Sequence, residues 1–152
     1  MKYNISADKV MSKKPVTIDA AKTLHDAGKA MMEKGVGSLI AVDNGKLAGI
    51  LTEKDLVRVL ANECKDPKAT KVREAMTKKV ISVSPNTDLY DIARMMTEKK
   101  VRRLPVVDSN KLVGIVTEKD LLRIQPSIID VLVEKVRVKG PHYPARPLEE
   151  DD

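Results

Sequence analysis

The sequence KLAGILTEKDL at residues 46–56 returns 65 positions later as KLVGIVTEKDL at residues 111–121. The similarity extends outward from these two stretches without gaps. Residues 11–60 and 76–125 share 22 identical residues in 50 aligned positions, whereas ordinary composition gives about one chance match in fifteen. The chain therefore contains one structural unit used twice, and this unit decides the fold.

Each copy has the pattern of a strand, a capped helix, a hairpin and a second helix. The strands are predicted from short β-branched runs, and the first helix from apolar residues at helical spacing behind an N-cap residue. In the first copy the predicted elements are a strand at 16–18, a helix behind Thr23, hairpin strands at 39–42 and 47–51, and a helix that begins at Thr52. In the second copy they are a strand at 80–83, a helix behind Asp88, hairpin strands at 104–107 and 112–116, and a helix that begins at Thr117.

The order β-α-β-β-α predicts an α/β (α+β) fold in which each copy contributes a three-stranded sheet and its helices. Such a unit is too small to cover both faces of its sheet, so we expect the two copies to pack about a pseudo-twofold axis into one globular module. The expected boundaries are 8–63 for the first repeat, 64–72 for a polar linker, 73–126 for the second repeat, 127–140 for a C-terminal segment and 141–152 for a mobile acidic tail. Capping favours a helix in the C-terminal segment, and its valines leave a strand as the alternative.

The composition of the chain limits the classes of function that it can have. The 152 residues carry a net charge of +6, and without the four acids that end the chain residues 1–148 carry +10. The positive charge of residues 1–148 suits anionic ligands, either phosphates or nucleic acid. A solvated surface rich in Lys and Glu explains the same charge equally well. Only three tyrosines and no Phe or Trp are present, which argues against stacking platforms for single-stranded nucleic acid. We expect a cytoplasmic chain with no membrane contact, because Cys64 has no partner cysteine and no apolar run is long enough to span a bilayer.

The motif Gly-Ile-x-Thr-Glu-Lys-Asp recurs where the last strand of each repeat passes into a helix. A helix N-terminus offers unpaired N–H groups and a positive dipole, which attract phosphate. The threonine hydroxyl adds a donor, and an aspartate one turn later can accept from the hydroxyls of a ribose. The same Thr-x-x-Asp spacing also forms a capping box that needs no ligand. The residues alone leave both interpretations open, because a duplication copies caps as well as sites.

The duplicated unit, with Gly-hydrophobic-x-Thr-x-x-Asp after its last strand and Arg-Leu-Pro-Val-Val-Asp at residues 103–108, resembles a tandem pair of CBS domains over about residues 8–126. The resemblance implies a Bateman module, which binds AMP, ADP, ATP or sometimes S-adenosylmethionine in the clefts between its repeats. It also implies a homodimer in the shape of a disk. Such a module regulates a partner protein, unidentified in this case, and is not an enzyme.

The resemblance also assigns residues to two sites. In the first it implies Thr52 for phosphate, Asp55 for ribose and Ile50 for the base wall, opposite Val80 and Ile81, with Arg102 and Arg103 near the phosphate. In the second it implies Thr117, Asp120 and Ile115 opposite Pro15 and Val16, where Gly37 and Ser38 replace the arginine pair. The arginines suit bidentate phosphate binding, and a solvated turn is the alternative reading of that pair.

The remaining reactive residues form no site in the sequence. His25 and His142 lack partners at the spacing of metal ligands, and neither has a nucleophile to activate, so no metal, catalytic cofactor or enzymatic activity is expected. Three hypotheses stay open: an adenosine-nucleotide sensor, a nucleic-acid-binding regulator that uses the basic surface, and a dimerisation unit in which Thr-x-x-Asp only caps helices.

Overall fold

The computed structural model describes residues 2–133, and its elements repeat with the same 65-residue offset as the sequence. They are α1 (Ala7–Val10), β1 (Thr17–Asp19), α2 (Leu24–Lys34), β2 (Ser38–Asp43), β3 (Lys46–Thr52), α3 (Glu53–Ala61), α4 (Val72–Ala75), α5 (Leu89–Lys99), β4 (Arg103–Asp108), β5 (Lys111–Thr117), α6 (Glu118–Ile124), a 3₁₀ turn (Pro126–Ile128) and α7 (Ile129–Val133). No helix among these residues is long and apolar enough to cross a membrane.

The first repeat forms the expected three-stranded sheet. Strand β1 runs parallel to β2, and β2 pairs with β3 as an antiparallel hairpin. Helix α2 begins with a capping box between Thr23 and Asp26 and ends at Gly35, which has a left-handed conformation. Hydrogen bonding to the Thr23 side chain, and then to its backbone N–H, lowers the pKa of Asp26. The sequence therefore encodes both ends of this helix.

The prediction of a strand at residues 80–83 is wrong. Strands β4 and β5 form a two-stranded sheet, and the preceding segment contributes only an isolated bridge from Val83 to Val106. In the first repeat the N–H of Ile40 donates to the carbonyl of Val16 (3.1 Å). The residue that corresponds to Ile40 is Pro105, which has no N–H to donate, so the ladder cannot extend toward Ile81.

The short helices at the start of each repeat exchange places. Helix α1 packs into the core of the second repeat through Ala7, which is fully buried. Helix α4 packs into the core of the first repeat through Val72 and Ala75. Packing therefore crosses the boundaries drawn from the sequence. The linker 64–72 packs on the first repeat, where Pro67 and Thr70 accept backbone hydrogen bonds from the start of α2 and Val72 is fully buried.

Each exchanged segment crosses a hairpin at a glycine. Ser12 bridges to Ile115 in the second repeat, and Thr77 bridges to Ile50 in the first. A Cβ on Gly49 would lie 2.7 Å from the Thr77 carbonyl oxygen, and a Cβ on Gly114 would lie 2.8 Å from that of Ser12. Only glycine permits this approach, which explains why both repeats retain it.

The N-terminal segment is also held by Asp88, the N-cap of α5. The Asp88 carboxylate accepts from the N–H of Tyr3 (3.0 Å) and from that of Tyr90 (2.9 Å). Burial raises the pKa of Asp88, but the backbone donors, which also include Asn4 and Ile5, lower it by more, so the pKa lies below the ordinary value of 3.8. The ionised form therefore ties the start of the chain to the second repeat.

The C-terminal part of the described chain packs on the second repeat. The 3₁₀ turn and α7 follow α6, and Ile128 is fully buried in the second core. Residues 127–133 of the expected C-terminal segment are helical, with no strand pairing there. The rest of that segment and the expected tail at 141–152 lie outside the described residues.

Candidate functional site

A cleft of about 610 Å³ lies between the two repeats, at the place where the sequence predicts the first site. One wall is apolar and comes from both repeats. From the first repeat it includes Ile50, and from the second it includes Val80 and Ile81. The side chain of Ile50 does not belong to the core of its own repeat. The volume and the apolar wall are those of a small-molecule site.

Positive charge surrounds this cleft. Its lining includes five cationic side chains and one carboxylate, namely Lys54, Lys79, Lys100, Arg102, Arg103 and Glu53. The cations come from three separate segments of the two repeats, so the folded chain gathers charge that is dispersed in the sequence. A half-enclosed basic rim next to an apolar wall attracts ligands that have an anionic and an apolar part.

Thr52 lies in this cleft at the start of α3, as the sequence predicts. Its hydroxyl donates to Asp55 Oδ2 (3.0 Å) and accepts from the Asp55 N–H (3.4 Å), while its backbone N–H donates to the same carboxylate oxygen (2.8 Å). The capping box is therefore formed, and it occupies the Thr52 hydroxyl that would have to donate to a phosphate if this were a nucleotide site. A phosphate would have to attract that hydroxyl away from Asp55.

Asp55 is buried, 7% exposed, and does not line the cleft. Its second oxygen, Oδ1, accepts from Arg58 Nη1 (2.9 Å), and Arg58 Nη2 donates to the carbonyl of Ala75 in α4 (2.9 Å). The carboxylate thus links the start of α3 to the exchanged helix α4. Oδ2 already accepts two hydrogen bonds from Thr52, and only Oδ1 retains an acceptor site, so a ribose hydroxyl would share Oδ1 with Arg58.

The residues expected at the second site occupy the corresponding positions of the fold. Thr117 and Asp120 form the capping box of α6, where the Thr117 N–H donates to Asp120 Oδ2 (2.9 Å). Ile115 is bridged through its backbone to Ser12. On the opposite side, Pro15 is half-buried and Val16 packs against the first core.

Two residues assigned to the second site contact the first instead. Gly37 lines the first cleft, and the hydroxyl of Ser38 accepts a hydrogen bond from Arg103 Nη1. Because Ser38 and Arg103 hold the same position in the two repeats, this contact lies at the pseudo-twofold axis. One guanidinium therefore stands between the two expected sites.

The sequence interpretation missed three lysines of the cleft: Lys54, Lys79 and Lys100. A signal for Lys100 was present. It follows α5 with φ of 55°, whereas the corresponding residue after α2 is Gly35. This conformation disfavours lysine relative to the glycine at the corresponding position, so the Lys100 side chain is a candidate for a role in the cleft.

The comparisons with known proteins agree with this architecture. The CBS domain family model matches residues 7–62 and 72–127. The CBS domain-containing protein YhcV of Bacillus subtilis is 34% identical over 116 residues, which are 76% of this chain and 82% of that protein. An uncharacterised protein of Methanopyrus kandleri, MK0525, is 32% identical over 88% of this chain and 69% of its own.

Two solved structures are similar in fold and have ligands in their descriptions. The CBS domain pair of protein MJ0100, in complex with 5′-methylthioadenosine and S-adenosyl-L-methionine, has a TM-score of 0.71 at 30% identity and covers 81% of this chain and 97% of its own. The cytosolic domain of the Mg²⁺ channel MgtE, in complex with ATP, has a TM-score of 0.69 at 30% identity and covers 81% of this chain and 50% of its own. Because the family model matches both repeats and the fold is shared, this chain belongs to the CBS domain family and contains a tandem pair of these domains.

Proposed function

We propose that the first cleft binds an adenosine phosphate, AMP, ADP or ATP, and that its occupancy regulates a partner protein. A CBS pair is a regulatory module, and the proposal concerns its ligand. The observation that carries it is the set of five cations around a cleft with an aliphatic wall. Phosphates neutralise the cations, and a purine fits between Ile50, Val80 and Ile81.

The charge also ranks the candidate ligands. ATP brings the most negative charge, then ADP, then AMP, while methylthioadenosine has no phosphate and S-adenosylmethionine carries a sulfonium cation. The MJ0100 pair binds the last two, and the MgtE domain binds ATP. With one carboxylate against five cations, this cleft suits the MgtE type of ligand, because like charges disfavour a sulfonium.

The two repeats differ in a way that selects the first cleft as the phosphate site. Three cations of the first cleft, Lys100, Arg102 and Arg103, come from the second repeat, and the corresponding residues of the first repeat are the uncharged Gly35, Gly37 and Ser38. The second repeat thus supplies a positive charge at each of three positions where the first repeat supplies none. We therefore expect ATP to bind more tightly in the first cleft than at the expected second site.

Regulation follows from the position of the cleft. A ligand in it contacts Ile50 and Thr52 of the first repeat together with Val80 and Arg103 of the second. Its binding energy therefore depends on how the repeats are arranged, and occupancy shifts the population toward the arrangement it binds best. The shift cannot exceed the difference in ligand affinity between the two arrangements.

Thermal melting against a ligand series tests the proposal. We expect stabilisation in the order ATP, ADP, AMP, with little effect of methylthioadenosine. A ligand at one hundred times its Kd stabilises a folded protein by about 2.7 kcal/mol, which is about 5 to 10 °C for a chain of this size. No shift with any adenosine compound would leave the pair as a dimerisation unit. Salt-resistant binding of DNA without nucleotide binding would favour the nucleic-acid hypothesis.

The two capping aspartates provide a matched test of the ribose role. Asp55→Ala should weaken ATP binding strongly, and Asp120→Ala should leave binding at the first cleft unchanged, because Asp120 lies in α6, no residue of which lines that cleft. Since Asp55 also caps α3, its variant must be compared at a temperature where circular dichroism shows it folded. ATP affinity equal to that of the wild type in folded Asp55→Ala would remove the aspartate from the site.

A further inference from the structure

The four residues at 149–152, here called the acidic segment, form a run of negative charge that the rest of the sequence does not repeat. They are Glu-Glu-Asp-Asp, whereas no two acidic residues are adjacent anywhere in residues 1–148. Leu148 directly precedes the run, so residues 148–152 combine one apolar side chain with four carboxylates. A negative charge of this density is attracted to a surface of dense positive charge.

The first cleft has the complementary features. Its lining contains five cationic side chains and one carboxylate, which leaves an excess of four positive charges, equal in size to the charge of the acidic segment. Beside these cations lies the apolar wall of Ile50, Val80 and Ile81, which suits Leu148. Carboxylates pair with Lys and Arg through the same charge-assisted hydrogen bonds as phosphates do. A cleft that suits a nucleotide therefore also suits residues 148–152.

The described part of the chain ends beside this cleft. Helix α7 packs along α5, and the carbonyl oxygens of Val131 and Leu132 lie 3.4 Å from the hydroxyl of Thr97. Lys100, which lines the cleft, follows Thr97 by three residues, a distance of about 5 Å along the axis of α5. Val133, the last described residue, therefore lies close to the end of α5 that supplies a cation to the cleft.

The sequence after Val133 is long enough for the acidic segment to reach any part of the cleft. Glu149 lies 16 positions after Val133, which is about 24 Å at the rise of an α-helix and at most about 55 Å in extended conformation. A folded chain of this size has a radius of gyration of about 14 Å. Groups tethered at such a reach act at effective concentrations on the order of 1 mM, so weak contacts suffice for competition with a free ligand.

We propose that the acidic segment occupies the basic side of the first cleft when no nucleotide is bound, and that a nucleotide must displace it to enter. The chain thus carries its own inhibitor, which lowers the apparent affinity for nucleotide and is released on binding. The displacement rests on the proposed function, whereas the contact between the acidic segment and the cleft does not require that the ligand be a nucleotide.

Carbodiimide cross-linking of the full chain tests the contact without any nucleotide. The reagent joins a carboxylate to a lysine amine in contact with it, and peptide mass spectrometry identifies the linked pair. We expect the acidic segment to link, within one chain, to the three lysines of the cleft, Lys54, Lys79 and Lys100. Links only to lysines outside the cleft, or only between two chains, would overturn the proposal.

The same reaction with saturating ATP separates the contact from the displacement. We expect ATP to suppress the links. Links that persist in a chain whose melting temperature is raised by ATP would refute the displacement. Links that form in a chain that no adenosine phosphate stabilises would support the contact and refute the proposed function, so the two failures are distinguishable.

Neutralising the acidic segment tests the inhibition. The variant that replaces its four carboxylates by amides carries Glu149→Gln, Glu150→Gln, Asp151→Asn and Asp152→Asn. By calorimetry it should bind ATP at least about threefold more tightly than the wild type, because a tethered competitor has been removed. The gain should shrink in about 1 M salt, which screens the contact that the wild type has to break.

A matched control makes the same change in net charge elsewhere. It replaces by amides four exposed acids that do not line the cleft, namely Glu33, Asp43, Asp108 and Asp130. Its ATP affinity should stay within about twofold of the wild type, because exposed charges outside the cleft are screened by salt. If the acidic-segment variant binds ATP no more tightly than this control, the inhibitory role is excluded.

Discussion

The guanidinium of Arg103 donates a hydrogen bond to the hydroxyl of Ser38, although the two residues hold the same position in the two repeats. In an exact duplication the same residue would meet itself across the axis. Here the second copy supplies a long cation and the first supplies a small hydroxyl that fixes it. The duplicated fold has thereby become electrostatically one-sided, which is the basis of the proposal that the first cleft holds the phosphates.

Reversing the charge of Arg103 should impair binding more than folding. Arg103→Glu replaces a cation of the cleft by an anion, so ATP affinity should fall by at least about tenfold, since charge-assisted hydrogen bonds are each worth about 1.5 to 3 kcal/mol. The melting temperature without ligand should change little, because the side chain is only half-buried. Calorimetry of the two proteins measures the affinity. Equal affinities would exclude Arg103 from the site.

We expect Lys100 to lower the stability of the folded chain and to strengthen the binding of ATP. Lys100→Gly relieves a left-handed lysine and should stabilise the chain by about 1 kcal/mol, while Gly35→Lys places the same strain after α2 and should destabilise by a similar amount. Only the first change should reduce ATP affinity, because only Lys100 lines the cleft. Urea denaturation and ligand titration of both variants measure the two effects. A Lys100→Gly protein that binds ATP as well as the wild type would remove this lysine from the proposed site.

The crossing glycines should tolerate no side chain. Gly49→Ala and Gly114→Ala would each bring a Cβ to less than 3 Å from a backbone carbonyl, so we expect losses of about 1 to 3 kcal/mol in unfolding free energy. Gly28 provides the control. It lies inside α2 with its nearest neighbour at 3.9 Å from an added Cβ, and alanine there should stabilise by about 0.5 to 1 kcal/mol. If Gly49→Ala were as stable as the wild type, the close crossing would be refuted.

The attachment of the N-terminal segment should weaken in acid. Because the folded pKa of Asp88 is lowered, its contribution to stability is complete above the ordinary value of 3.8 and is lost as the pH falls through the lower folded value. Asp88→Asn keeps an acceptor oxygen and removes the charge. Its deficit in unfolding free energy should therefore be present at pH 7 and shrink below pH 3.8. An exposed control, Asp43→Asn, should differ little from the wild type at either pH, and a deficit of Asp88→Asn that is independent of pH would contradict the account.

The repeat, the helix caps and the hairpins could be predicted because they depend on residues close together in the chain. Thr23 with Asp26, and Asn44 with Gly45, determine local structure from local spacing. The lost strand at 80–83 depends on Pro105, more than twenty positions away, whose missing N–H matters only once β4 is placed beside it. Sequence periodicity does not contain that information.

The site was predictable only in part, for a related reason. Ile50, Thr52, Val80, Ile81, Arg102 and Arg103 were identified through the family resemblance, and the structure gathers them around one cleft. Lys54 and Lys79 adjoin Asp55 and Val80, which the resemblance assigns to the first site, but a single lysine in a charged segment has no pattern that distinguishes a ligand contact from ordinary surface charge. Gly37 joins the same cleft because the pseudo-twofold axis passes beside it.

Calorimetric titration of ATP into three proteins tests the central claim most directly: the wild type, Ile50→Trp and Ile115→Trp. The two isoleucines hold corresponding positions, and neither side chain belongs to the core of its repeat. Tryptophan at residue 50 should therefore fill the cleft, and tryptophan at residue 115 should occupy the expected second site, without unfolding the chain. The account predicts saturable binding in the wild type and in Ile115→Trp, and its loss in Ile50→Trp. Binding that persists unchanged in Ile50→Trp, or fails in the wild type, would contradict it.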